Sequence, residues 1–348
     1  MPMDRRRFLS TLLPIASAPL LTSACGLGAP SAAGGVQNKL RLAGLLPGKA
    51  HDGSWSELGL KGLTAAHDLL GAEIIYQDQV DDIPNSLDTM QTWVDDGYNV
   101  VWTHGSQFTQ VALKLAEKNP AVTVISEDDA HPGDIPPNLW VLDREFHVGF
   151  YPLGVLAART TKTGKIGYVT GLSLTFTFAE VHAMEQAFQD LGLAGQLELR
   201  TAWTGDFDDP AKGQAATEKM LREGCDVIVS GLDQGTEGLL RAVRQRPAGR
   251  AWGTGLYTDK HDLAPDHFLS ACLTDFATPV VDILSRVRAG ERSGYYPMGF
   301  ESGLLIRRPN ASDKVRGEVQ SVIEKVMRGD IVVKENLNRP AGAPKPVA

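Results

Sequence analysis

The stretch KAHDGSWSELGLKGL, residues 49–63, directly follows a strand-like run, LRLAGLL, at 40–46. The chain leaves a strand, turns through Asp52 and Gly53, and sets Trp55 at the mouth of an apolar-periodic helix. Tryptophan is costly to expose and adds nothing to a turn, so its position calls for a cover. Strand, short turn and helix is also the opening unit of a parallel sheet, and the chain goes on repeating it.

Further strand-like runs are AEIIYQD from Ala72, YNVVWTH from Tyr98, AVTVISE from Ala121 and LWVLDR from Leu139. Between them lie amphipathic stretches: SLDTMQTWVDDG carries Leu87, Met90, Trp93 and Val94 at helical spacing, with Gly97 as a stop. QFTQVALKLAEKNP ends at Asn119 and Pro120. After Phe146 the pattern restarts, with helical HVGFYPLGVLAARTT and FAEVHAMEQAFQDLG around the buried strand KIGYVTG. LELRTAW, DVIVSGL and AWGTGLY alternate with DPAKGQAATEKMLREG and GTEGLLRAVRQR. Alternation of this kind predicts parallel sheets with right-handed crossovers, and two runs of it predict two similar doubly wound α/β lobes. The segment FLSACLTDFATPVVDILSRVRAG, with YYPMGF and GLLIRR after it, is too short for a third domain and reads as a return to the first lobe. The expected division is 39–144 plus 272–302 for lobe 1, 145–271 plus 303–330 for lobe 2, and a tail at 331–348. Three crossings are expected near Arg144, Ser270 and Ser302.

In such sheets ligands bind beyond the carboxyl ends of the strands. AHDGSW, THGSQF, WTGDF, GLDQGT, LYTDK and CLTDF therefore face the expected cleft. A ligand bound there would cover Trp55.

The N-terminus reads as an export signal: a basic head at Arg5, Arg6 and Arg7, an apolar run, then small residues ending at Cys25. RRRFL resembles a twin-arginine signal and TSAC a lipobox, which would make Cys25 the lipid-bearing first residue of the mature chain; ordinary cleavage near ASA at 16–18 is the other reading. Residues 1–24 are then the signal and 25–38, rich in Gly, Ala and Ser, a flexible tether. The full sequence has 348 residues and a net charge of −8, an acidic balance that argues against nucleic acid or an anionic membrane as a charge-driven partner. Cys225 and Cys272 sit in separate apolar segments and read as buried small residues rather than a pair.

Several segments in register make the chain resemble the basic membrane protein (BMP) family, lipid-anchored substrate-binding proteins of ABC importers that include purine nucleoside receptors. DGSWSELGLKGL is similar to the family's D-x-S-F-N-x-x-x-x-x-G-L, FDDPAKG to F-N-D-P-A-K-G, and LAPDHFLSA to L-A-P-D-x-V-L-T-S. REFHVGFYPLGVLAARTTKTGKIGYVTG resembles its long central stretch. The likeness spans roughly Leu40 to Lys325 and implies a type I periplasmic binding fold, a small-molecule solute, an ABC permease as partner, a lipid anchor and a monomer. It implies no cofactor, no metal and no catalysis.

In nucleoside-binding members two aromatics sandwich the base while carboxylates take its edge and the ribose. Trp55 and Phe207 match the stacking positions, worth roughly 1–3 kcal/mol per contact, and Asp52 matches the family's loop-opening Asp, though it is equally an N-cap. Departures cluster at polar positions: Gln110 stands where the family has an Asp, and Tyr257 replaces a carboxylate, leaving Asp259 two places on. Thr274, followed by Asp275, replaces a Lys. A ribose held by a buried carboxylate is poorly served by a phenol, so the substitutions favour a free base or similar flat heterocycle. Phe108, after a Gly-rich strand end, and Asp233 in GLDQGTEG complete the expected ligand-binding set. EDDAH at 127–131 reads as a solvated loop rather than a metal site, and no nucleophile elbow or dinucleotide fingerprint is present. A ligand sensor presenting its bound form to a membrane receptor is the other functional reading.

Overall fold

A computed structural model describes residues 39–129 and 133–346. The expected signal, the tether and Cys25 lie outside the described residues, as does His131.

The first sheet holds six parallel strands in the order β2-β1-β3-β4-β5-β11. These are β1 (Arg41–Leu45), β2 (Glu73–Gln77), β3 (Val100–Thr103), β4 (Thr123–Asp128), β5 (Leu139–Asp143) and β11 (Gly294–Pro297). The inner strands VVWT and LWVLD are buried throughout, as strands covered by helices on both faces must be. Edge strand β2 is half-exposed. The second sheet runs β7-β6-β8-β9-β10-β12, formed by β6 (Lys165–Thr170), β7 (Glu198–Trp203), β8 (Val227–Gly231), β9 (Trp252–Tyr257), β10 (Phe268–Thr274) and an antiparallel edge, β12 (Leu304–Ile306). Both sheets thus share the order 2-1-3-4-5 with one added edge strand, the doubly wound pattern expected from the sequence.

Helix α1 (Trp55–Leu70) ends at Gly71, whose φ of 67° closes the helix with N–H bonds to Ala66 and His67. It packs against α8 (Ala277–Arg288), so the late segment does return to the first lobe. Helices α2 (Ser86–Asp95) and α3 (Thr109–Lys118) cover the other face through Met90, Trp93, Val111 and Leu115. In the second lobe α4 (Phe146–Thr160) is buried along nearly its whole length and packs on α5 (Thr175–Asp190). Close approach explains its glycines: a Cβ on Gly154 would stand 3.0 Å from the Met184 backbone, and one on Gly149 2.4 Å from Cys272 Sγ. Helices α6 (Pro210–Arg222), α7 (Thr236–Arg244) and α9 (Asp313–Met327) complete this lobe. Cys225 and Cys272 are both free thiols, and both are buried.

The chain crosses between lobes at Arg144–Glu145, at Asp275–Phe276 and through 298–303. The expected division between 271 and 272 falls inside β10, all of which pairs within the second sheet. Ser270 likewise lies inside that strand, its hydroxyl donating to the Arg307 carbonyl, so the crossing comes at its far end. Residues 331–346 lie back along the second lobe. Val333 is buried in its core, Gln186 exchanges bonds with Val332 and Lys334, and the Ser173 hydroxyl donates to the Pro344 carbonyl at 3.0 Å.

Candidate ligand-binding site

Between the carboxyl ends of the two sheets lies a cavity of 740 Å³. Trp55, Ser106 and Gln107 from the first lobe, Arg144 from the first crossing, and Phe176, Phe207, Asp233 and Tyr257 from the second all line it.

Trp55 has its cover, though much of it is protein. Its ring stacks on His104, with centroids 4.4 Å apart and planes 11° from parallel. Phe276 meets it edge-on at 5.1 Å, Tyr257 lies tilted at 4.9 Å, and the Arg144 guanidinium lies over it, 5.0 Å from its centroid. Only 8% of the residue is exposed. Beneath it, His104 Nε2 donates to the Trp55 carbonyl at 2.8 Å, and Nδ1 stands 2.5 Å from the Glu127 carboxyl. Because Nε2 faces a carbonyl, it is the nitrogen that donates there. Trp102 Nε1 donates to the same Glu127 oxygen at 3.0 Å. The first-lobe wall is therefore a stack fixed from behind by a fully buried polar network.

On the opposite wall Phe207 and Phe176 stack at 6.0 Å and 19°. Gly171 permits this, since a Cβ there would stand 2.4 Å from the Phe207 ring. Tyr257 ends β9 with a φ of 68°, a left-handed conformation unusual for a bulky residue. Burial raises its hydroxyl's pKa well above the usual tyrosine value, and the charges of Asp233 and Glu180 reinforce this. The Asp233 carboxyl is pushed up to about 7, first by burial and then by the neighbouring Asp208 and Asp52, against the pull of Ser54 and Lys260.

Direct bonds join the walls on one side of the cleft. Lys260 Nζ donates to the Ser54 hydroxyl at 3.1 Å, and that hydroxyl donates to Asp233. Gln234 donates to the Asp52 carbonyl at 2.6 Å and Thr258 to the Gly53 carbonyl at 3.1 Å. The loop of residues 52–54 that opens α1 is thus clasped by two loops of the second lobe, those after β8 and β9.

Of the residues expected from the sequence, Asp52, Trp55, Phe207, Asp233 and Tyr257 all line the cavity. Asp52 does so with its carboxylate engaged, accepting backbone N–H bonds from Ser54, Ser56 and Glu57 at 2.7–3.1 Å. It caps the helix N-terminus, the second role its position allowed. Phe108, Gln110 and Asp275 stand elsewhere. Phe108 is wholly buried under α3, because the Gly-rich turn before it points the ring into the first sheet's outer core. Gln110, the second residue of α3, is exposed. Asp275 is exposed and caps α8 through Ala277 and Thr278. Asp259 is tied to Arg307 at 2.6 Å. Sequence reasoning passed over Phe176, His104 and, as a ligand group, Arg144. Each follows a strand end, so the rule that found the others applied to them; no motif singled them out. Among the described residues no cluster of three or more His, Cys, Asp or Glu side chains is arranged to hold a metal ion.

Residues 39–336 match the family model described as Bmp, ABC transporter substrate-binding protein PnrA-like. The chain belongs to the Bmp family. Among Bmp relatives it is 22% identical over 299 residues to basic membrane protein A of Borreliella burgdorferi, covering 84% of this chain and 87% of that one. It is 22% identical over 295 residues to the transcriptional activator protein med of Bacillus subtilis, covering 83% and 87% respectively. An ABC transporter solute-binding protein from Aeropyrum pernix K1 shares the fold with a TM-score of 0.71 and 18% identity, covering 85% of this chain and 94% of that one. Bmp membership makes this a substrate-binding protein of the ABC transporter type, with a small-molecule ligand and a membrane permease as partner. The family is one of binding proteins rather than a known enzyme class, and such proteins are typically exported to the periplasm or envelope.

Proposed function

We propose that this chain captures a flat, nitrogen-bearing heterocycle of the purine type, as base or nucleoside, between its lobes and delivers it to an ABC permease. The observation that carries this reading is the set of aromatic side chains from both lobes lining one 740 Å³ cavity, within the roughly 300–1,000 Å³ usual for small-molecule sites. The half-buried ring faces of Phe207 and Phe176, opposite the Trp55 wall, favour a flat solute, and closing the lobes about the three crossings buries it. Polar groups at the ends of the cavity fix its orientation. Replacement of the family's carboxylate by Tyr257 argued for a free base. Asp233, buried beside Tyr257 and lining the cavity, supplies a carboxyl to that wall from the neighbouring strand end, so a sugar hydroxyl is again accommodated.

Calorimetry and thermal shift against purine bases, purine nucleosides and pyrimidines test the reading. A purine well above its Kd raises the melting temperature by mass action, about 2.7 kcal/mol of added stability at a hundredfold excess over Kd. A screen in which no purine shifts the transition overturns it. Export with lipid attachment at Cys25 belongs to the same proposal. Mass spectrometry of membrane-fraction protein should find a diacylglycerol-modified Cys25, and Cys25→Ser should release the chain in soluble form.

A further inference from the structure

Among the described residues, the buried charged side chains lining the cavity are Arg144 and Asp233, one on each wall. Arg144 is held from behind. Nη2 donates to Ser106 Oγ at 2.9 Å and to the Asp129 carboxylate, while Nε lies 3.5 Å from the Asp128 carbonyl. Its guanidinium lies over Trp55, Phe146 and Phe176, with its central carbon 5.0–5.9 Å from their centroids. The Ser106 hydroxyl spends its own proton on Asp129 at 2.6 Å. What remains is Nη1, which makes no hydrogen bond among the described residues. A guanidinium has no acceptor and does not lose its proton at physiological pH. The solute edge next to Arg144 therefore meets donors on a group that cannot reverse its role, whereas Asp233 on the facing wall offers a carboxyl.

We propose that Arg144 makes the site select 6-oxopurines over 6-aminopurines. This rests on the purine reading above and narrows it. An oxo oxygen is an acceptor that the remaining Nη1 N–H groups can meet, as arginine meets the guanine oxygen elsewhere. An amino group at the same position sets N–H against N–H and leaves buried donors unpaired, which is where polar sites discriminate most strongly.

The test is calorimetry of the purified chain with two matched pairs, hypoxanthine against adenine and inosine against adenosine. The oxo member of each pair should bind at least tenfold more tightly. Arg144→Gln should bring the ratio toward one, mainly by weakening the oxo ligand, because a side-chain amide can turn either a donor or an acceptor to the solute. Equal affinities in the wild type overturn the proposal, as does a ratio that survives Arg144→Gln in a folded protein. Should that variant not fold, the wild-type ratio alone decides. Purines bound without an oxo preference sink this inference and leave the broader reading standing; no purine binding at all sinks both.

Discussion

On the first-lobe side of the cleft the wall is backed by Trp55 on His104 on Glu127, a stack closed by Phe276 and almost wholly out of water. On the second-lobe side Phe207 and Phe176 are half-buried, Asp208 is exposed, and the buried Asp233 leans on Ser54 across the gap. One wall is organised by its own interior and the other partly by what it faces. A binding protein that closes on its solute needs such an asymmetry: a preformed surface costs little ordering when the solute lands, and a looser one can move to meet it.

The largest effect should come from the interior of the stiffer wall. Glu127→Ala leaves the Trp102 indole N–H and His104 Nδ1 without their shared acceptor, and the loss of stability should be about 3 kcal/mol or more, read from urea midpoints. If the midpoint barely moves, the stack is not what organises that wall. Phe207→Ala should invert the pattern, costing little stability while weakening purine binding by roughly 1–3 kcal/mol of stacking, measured by calorimetry.

A third change sharpens the contrast from within the second lobe. Glu180 on α5 is fully buried against the Tyr168 hydroxyl, and burial pushes its carboxyl up to about 8. Unfolded, it gives up its proton near pH 4.3, so between there and pH 8 the folded state holds the extra proton, and stability falls as pH rises through that window. Glu180→Gln should therefore gain on the wild type as pH climbs from about 4.5 to about 8 and run parallel to it above. Parallel curves throughout would mean the carboxyl ionises normally in the folded protein. The smallest effect is expected at the tail. Ser173→Ala removes one bond to the Pro344 carbonyl and should cost at most about 1 kcal/mol, with faster hydrogen exchange in residues 340–346 as its clearest sign.

The alternation of apolar runs made both sheets legible, because strands buried on two faces leave continuous hydrophobic stretches and short turns fix their order. The second crossing was misjudged by a few residues: FLSACLTDF carries no glycine or proline to mark a boundary, and the division was set inside β10 rather than at its far end. At the cleft, the sequence identified residues in the turn after a strand or at the first position of the next helix, such as Phe207 and Trp55. It misread Phe108 and Gln110, where the chain enters a helix and successive side chains swing about 100° apart, so that one goes to the core and another to solvent. Arg144 was legible in position and not in role, because its contacts with Ser106, Asp129 and Trp55 come from three different segments. Burial of Asp233 likewise arises only when Ser54, 179 residues earlier, closes over it.

Helix α8 covers α1, and Phe276 just before it packs against both Trp55 and His104. These residues are separated by the entire length of the second lobe's sheet, except its last edge strand. As the chain emerges from the ribosome, β1 to β5 appear first, yet the apolar face of α1 and the edge of β5 stay bare until β6 through β10 have followed. The part of the protein made earliest is thus completed near the end of translation. Until then its tryptophans have only a holding chaperone, or their own transient collapse, to keep them from water.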